Sequence, residues 1–188
     1  MCGRYTLFTD EEYGDIRKII DEIERKHGNG CVKVGEIFPT NVAPILLDTG
    51  GTISASIARW GFPSFRNANV IINARSETAA EKRMFRKSFM TRRCVVPSTG
   101  FFEWDSQKKK HLFRLPGSSS LYMAGLYNDF QGIRRYVILT TAANASVAPI
   151  HNRMPVIVPQ EWIAGWLTDE HAAFKLMDGV QPLLHNTM

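Results

Sequence analysis

The second residue of the chain is a cysteine, within the opening run Met1-Cys2-Gly3-Arg4. Removing a methionine that precedes a small residue would leave Cys2 with a free α-amine beside its thiol. The unperturbed pKa values of these groups, about 7.7–8.0 and about 8.5, give each a nucleophilic fraction at neutral pH. An aldehyde meeting that pair forms an imine with the amine, and the thiol then closes onto the imine carbon to give a thiazolidine ring. An internal cysteine has no amine to offer. The alternative is that Met1 stays and Cys2 is a small residue opening a strand.

Three other segments hold residues suited to chemistry. Glu103 lies in Phe101-Phe102-Glu103-Trp104, after Pro97-Ser98-Thr99-Gly100. Buried there, its charged form would lose solvation and its pKa would rise, which suits proton transfer near neutral pH. Under two-residue alternation it would instead face water beside Asp105. The apolar run Val70-Ile71-Ile72 stops at Asn73-Ala74-Arg75-Ser76. Asn73 can donate and accept at once, and so orient an amine or a carbonyl. Arg75 can grip phosphate, helped by the N–H groups of a helix that follows; helix capping by Asn73 or Ser76 is the structural alternative. His151, in Pro149-Ile150-His151-Asn152-Arg153-Met154-Pro155, is a general-acid or general-base candidate, or else a structural histidine. His27, His111, His171 and His185 have no such neighbours. The rings of Trp60-Gly61-Phe62-Pro63-Ser64-Phe65, with Asn41-Val42-Ala43-Pro44, could stack on splayed bases; Trp60 is expected in the core.

These residues need a scaffold, and the pattern predicts one. Residues 9–28 read as a helix, with a Thr9/Glu12 capping box, an apolar face of Tyr13, Ile16, Ile19, Ile20 and Ile23, and a stop at Gly28-Asn29-Gly30. Strands are expected at 42–47, 52–61 and 69–73, then a helix from Ser76 to Lys87. Further strands follow at 93–97, 100–104, 111–115, 121–127, 134–141 and 154–158. A helix spans 160–167, and Thr168 is the expected cap of another near 169–177. Lys108–Lys110 reads as a solvated hairpin tip. The tail from Gly179 has no clear pattern, and the edge of the sheet there is expected to be short. Short strands with few helices predict a single α+β domain over 1–188, built on a curved, largely antiparallel, barrel-like sheet with flanking helices.

Length and composition agree. The chain has 188 residues, 44% hydrophobic and 22% charged, ordinary for a globular protein with one core. No apolar run reaches the ~18 residues of a membrane span, and no secretory signal pattern is present. Three cysteines, Cys2, Cys31 and Cys94, fit a reducing cytoplasm; no spacing suggests zinc, and no cofactor is expected. The formal net charge is +5, yet Arg59–Arg114 alone carries 13 Lys/Arg against four acids. One basic flank on a balanced protein is the usual mark of a polyanion partner.

In order, Met-Cys-Gly-Arg, Asn-Val-Ala-Pro, Trp-Gly-Phe-Pro, Ile-Asn-Ala-Arg-Ser-Glu-Thr, Arg-Arg-Cys-Val-Val-Pro, Gly-Phe-Phe-Glu-Trp, Ala-Gly-Leu-Tyr and Ile-His-Asn-Arg-Met-Pro-Val succeed one another across residues 1–157. This succession resembles the SRAP family (SOS response-associated peptidase). The resemblance implies a cytoplasmic, nucleoid-associated monomer that senses abasic sites in single-stranded DNA and becomes covalently joined to them, shielding the lesion. It implies Cys2 as nucleophile, Asn73 positioning its amine, Glu103 shuttling protons, and His151 assisting opening of the sugar ring. It further implies DNA contacts at Arg4, Pro44, Arg75, Arg83, Trp104 and Thr140. Phe65 falls where the family often has tryptophan, which implies weaker stacking there. A protonated Arg4 nearby would help to keep the amine neutral. Removal of Met1 is either self-catalysed, through Cys2 and Glu103, or the work of another enzyme. The alternatives are an N-terminal-nucleophile amidotransferase, a non-covalent single-strand binder, and a protease acting on other proteins.

Overall fold

The computed structural model of the chain describes residues 2–64 and 69–187. It begins with β1 (Arg4–Leu7), α1 (Gly14–His27), β2 (Gly35–Ile37), β3 (Val42–Asp48) and β4 (Ile53–Trp60). A short excursion, β5 (Phe62–Pro63) and β6 (Val70–Ile71), leads to β7 (Asn73–Arg75), α2 (Ser76–Ala79) and α3 (Arg86–Thr91). Next come β8 (Arg93–Ser98), β9 (Gly100–Trp104), β10 (Lys110–Arg114), and the long pair β11 (Leu121–Phe130) and β12 (Ile133–Ala142). Then follow β13 (Arg153–Pro155), α4 (Ile163–Thr168), α5 (Glu170–Asp178) and β14 (His185–Asn186).

Five strands close on themselves: β11, β8, β3, β4 and β12 are neighbours in that order, and β12 pairs back to β11. Within the ring only β4–β12 is parallel. Closure removes the exposed edges of an open sheet. A second, wholly antiparallel sheet runs β14-β10-β9-β1-β2. The fold is therefore α+β with a barrel-like antiparallel core, as the pattern predicts. The tail that lacks a clear pattern supplies β14, which pairs with β10 through Arg114 and His185.

Aromatic side chains join the two sheets. Trp60 and Tyr136, side by side on β4 and β12, stack with ring centroids 6.2 Å apart. Tyr5 on β1 meets Trp60 edge-on at 5.2 Å, and its hydroxyl lies 2.6 Å from that of Tyr136. All three are fully buried. Hydroxyls placed this deep need partners, and each supplies the other's, so β1 is keyed to the barrel at one register.

Arg93 anchors the helices. Its buried guanidinium donates to the carbonyls of Phe89 (2.8 Å), Met90 (3.2 Å), Trp166 (2.5 Å) and Leu167 (3.4 Å). Those are last-turn carbonyls of α3 and α4, which have no partner within their own helices and attract a cation.

Several local expectations change. No capping box forms at Thr9: a 3₁₀ turn over Glu11–Tyr13 precedes α1, and neither start carries a side-chain cap. The apolar face nevertheless holds, with Tyr13, Ile16, Ile20 and Ile23 buried. The helix expected from Ser76 to Lys87 breaks into α2 and α3, because Phe85 and Phe89 turn into the core and leave Arg86 and Lys87 outside. The cap of α5 is Asp169, which accepts from the amides of His171 and Ala172; the hydroxyl of Thr168 is taken by Ala164 O. In the hairpin ahead of β10, Lys110 is not at a solvated tip: it pairs with Glu36 at 2.6 Å and lies over the ring of Phe102 at 3.8 Å.

Candidate functional site

β1 pairs with β9 in the register Arg4↔Phe102 and Tyr5↔Phe101, which brings the chain start alongside Glu103. Alternation places Glu103 on the face of Phe101, opposite that of Phe102 and Arg4, and that face is turned inward. Glu103 is 2% exposed. The choice left open between burial and solvent is settled for burial. Burial pushes its carboxyl above the ordinary glutamate value, and the neighbouring His151 works the other way.

Asn73 arrives by a different route. β4 leaves the β12 ladder at Gly61, whose φ of +108 suits glycine and whose added Cβ would meet Val70 Cβ at 2.8 Å. After the β5–β6 excursion the chain returns to β12 as β7, with Asn73 opposite Ile138. Trp60 Nε1 holds the return by donating to Ile72 O at 3.0 Å. Asn73 therefore opens a strand, where the sequence suggested that it ends one. Its Nδ2 donates to the carbonyl of Cys2 at 2.9 Å, and its Oδ1 is buried with no acceptor role filled among the described residues.

Cys2 is fully buried, with its Sγ 3.7 Å from Arg4 O. Burial, and then the charge of Glu103, push its thiol far above the ordinary cysteine value. His151 lies on the turn before β13, its Nδ1 4.0 Å from Glu103 Oε1. The amide of Arg153 donates to that same Nδ1 at 3.0 Å. In the neutral ring this leaves the proton on Nε2, which becomes the donor. Protonated at Nδ1, the ring would face Arg153 O at 3.2 Å and Glu103 instead.

The turn carrying His151 is held by a clamp that sequence reading missed. Arg153 grips both carboxylate oxygens of Glu77, at the start of α2, and the carbonyl of Thr140 on β12. The bond from Arg153 is the first cause of the lowered pKa of Glu77. The two residues lie in the same motifs as His151 and Asn73, but their pairing spans 76 positions, a separation for which composition and periodicity give no signal. Tyr5 and Tyr136 were missed for the same reason.

The DNA-contacting positions implied by resemblance divide. Arg75 and Arg83 are exposed, and Trp104 is half-buried. Arg4 is committed elsewhere: its guanidinium pairs with Glu36 at 3.1 Å and lies over Phe38 (4.2 Å) and Trp104 (5.1 Å). Its side chain thus lies on the face away from Glu103, with its charge against Glu36. Pro44 and Thr140 are buried, on β3 and β12. Phe65 and Met1 lie outside the described residues.

Where the five-stranded sheet meets the barrel, then, a buried cysteine near the chain start accepts from the amide of Asn73 at its carbonyl, beside a buried carboxylate of raised pKa that has an imidazole 4.0 Å away. The four form a candidate cysteine-centred site. Residues 1–188 match the model of the SOS response associated peptidase (SRAP) family, and the chain belongs to that family. It is 35% identical over 191 residues to the Abasic site processing protein YoqW of Bacillus subtilis, covering 91% of this chain and 82% of that protein. To the Abasic site processing protein YedK of Escherichia coli it is 28% identical, covering 90% and 81%. An X-ray structure of a Bordetella bronchiseptica protein has the same fold, with TM-score 0.77 at 22% identity and full coverage of both chains. No helix among the described residues is long and apolar enough to cross a membrane.

Proposed function

We propose that this protein recognises abasic sites in single-stranded DNA and joins itself to them through Cys2 as a thiazolidine. The observation that carries the reading is the hydrogen bond from Asn73 Nδ2 to Cys2 O, 2.9 Å, which seats the chain start against Glu103. The relatives named for abasic-site processing point to the same substrate.

The chemistry begins with hydrolysis of the Met1–Cys2 peptide bond, which frees the amine, either by the protein itself through Glu103 and the Cys2 thiol or by another enzyme. An abasic deoxyribose is mostly a closed hemiacetal. As the sugar opens, the Glu103 carboxylate takes the proton of the C1 hydroxyl and delivers it to the ring oxygen, which His151 Nε2–H steadies by a hydrogen bond, and the aldehyde is exposed. The neutral amine of Cys2 attacks the aldehyde carbon, and one amine proton passes by way of Glu103 to the carbonyl oxygen, giving a carbinolamine. Glu103 then takes the second amine proton and gives it to the hydroxyl, which leaves as water, and an imine forms. The thiol then adds to the imine carbon while its proton moves to nitrogen, so the overall change is loss of one water. A carboxyl group of raised pKa suits this cycle because it is a stronger base than an ordinary glutamate and can still return its proton. A thiol of raised pKa arrives with the proton that the imine nitrogen needs. Asn73 Oδ1 supplies an acceptor for the amine. The exposed Arg75 and Arg83 hold backbone phosphate, and the protein acts as a monomer in the cytoplasm, on the nucleoid.

The test is incubation with a single-stranded oligonucleotide bearing one abasic site, followed by a denaturing gel. A shifted band that disappears in Cys2→Ala supports the reading. Non-covalent retention with no such band would leave a single-strand binder, and release of ammonia from glutamine would favour an amidotransferase.

A further inference from the structure

The outer wall of the barrel carries four hollows, and none of them is lined by Cys2, Asn73, Glu103 or His151. The first, about 390 Å³, is lined by Arg59, Arg134 and Ile133 among others. It shares Ile133 with a second of about 350 Å³, which adds Arg135, Pro63 and Phe130. Pro63 and Phe130 also line the third, about 430 Å³, together with Phe62, Met84 and Arg83. Arg83 in turn borders the fourth, about 380 Å³, with Arg86 and Lys87. Shared residues link the four into one groove, lined by six cationic side chains against two carboxylates, Asp129 and Glu81, over an apolar and aromatic floor.

At its first end Arg134 is paired with Asp129 at 3.4 Å and donates to Ser56 at 3.1 Å, but two further charges there have no carboxylate partner. Arg59 and Arg135 are direct neighbours on the parallel β4–β12 ladder, where like charges repel. Neither makes an ion pair with a carboxylate among the described residues, and Arg59 Nε is buried with no partner there. Only Arg135 is engaged, donating to Gly61 O at 3.1 Å. Two adjacent guanidiniums without a counter-charge are matched by an anion. The ring of Phe130, with the 40%-exposed aliphatic Ile133 beside it, suits the face of an unpaired base rather than the sugar-phosphate backbone of a duplex.

We infer that this groove, from Arg59 and Arg135 to Arg86 and Lys87, is a track for the undamaged part of a single strand of DNA, with Arg83 as the residue it shares with the lesion site. The inference rests on the single-strand part of the proposed function and extends it beyond the lesion.

The experiment is a salt titration of affinity for a long undamaged oligothymidylate, read by fluorescence anisotropy. Wild type is compared with the double variants Arg59→Gln/Arg135→Gln and Arg86→Gln/Lys87→Gln, with circular dichroism as the folding control. Each phosphate that the protein no longer neutralises lowers the slope of log affinity against log salt by about 0.7 on single strands, so each pair should lower it by about 1.4. The second pair is exposed and keeps the test open should the first destabilise the barrel. Slopes equal to wild type in both variants would overturn the track. So would a blunt duplex that binds as tightly as the single strand and loses as much in the variants. Because the probe has no abasic site, the result is independent of crosslinking. Wild type that forms no Cys2 adduct but shows these slope changes would sink the covalent reading and leave the groove standing.

Discussion

Replacing Glu103 with glutamine preserves the shape of the side chain and removes its proton chemistry. Glu103 is 2% exposed, held between Cys2 and His151, so no water-borne buffer can take over its task. Loss of a positioned general acid–base costs about 10²–10⁴-fold, equivalent to about 3–5 kcal/mol of barrier. The assay is single-turnover crosslinking to an abasic oligonucleotide, using protein whose chain already begins at Cys2, so that a defect in methionine removal is not read as a defect in chemistry. Stability should move the other way. Because the folded pKa of Glu103 is raised, the folded state holds the proton more tightly than the unfolded state. The stability this confers is complete below the ordinary glutamate value of about 4.3 and is lost as pH rises through the folded value. Glutamine has no charge to bury, so Glu103→Gln should melt above wild type at neutral pH, with the difference closing on acidification. A crosslinking rate within about threefold of wild type would refute the acid–base role. A variant that melts below wild type at neutral pH would show that burial of the charge is not what raises this pKa.

Tyr136→Phe leaves the Tyr5 hydroxyl buried without its partner and should cost about 1–3 kcal/mol, or roughly 2–10 °C in a chain of this length. Tyr5→Phe/Tyr136→Phe should lose less than the sum of the single variants in denaturant melts, and strict additivity would show that the hydroxyls do not act as a pair. Gly61→Ala forces a Cβ onto Val70 at a positive φ and should cost about 1–3 kcal/mol. Because the same turn delivers Asn73, its crosslinking rate should fall as well, and an unchanged rate in a folded variant would show that Asn73 is positioned by other contacts.

The pattern of apolar residues reveals most of the strands and the buried face of α1, because each rests on local alternation or helical spacing. It reveals a barrel-like sheet but not which strands close it, because β12 meets β11, β4, β7 and β13 along one strand. The four catalytic candidates are legible because Cys2 and Glu103 are chemically out of place in their surroundings, and because Asn73 and His151 sit at abrupt changes of pattern. Pairings distant in sequence are not legible: Arg153 with Glu77, Tyr5 with Tyr136, and Arg93 with two helix ends. The helix misplaced at 76–87 fails for a related reason, since Phe85 and Phe89 answer to the core rather than to the spacing that Ser76 begins. Arg4 reads as a free charge in sequence and is neutralised by Glu36, a residue that only the β1–β2 pairing brings near.

Capture of a sugar aldehyde by the α-amine and thiol of Cys2 acting together leaves a signature in the intact mass of the protein, weighed before and after exposure to abasic single-stranded DNA. The expected result is a protein lacking methionine, then a product heavier by the oligonucleotide less one water, with no such product from Cys2→Ala. An adduct formed while Met1 is still attached, or one that survives in Cys2→Ala, would show that a different group takes the aldehyde.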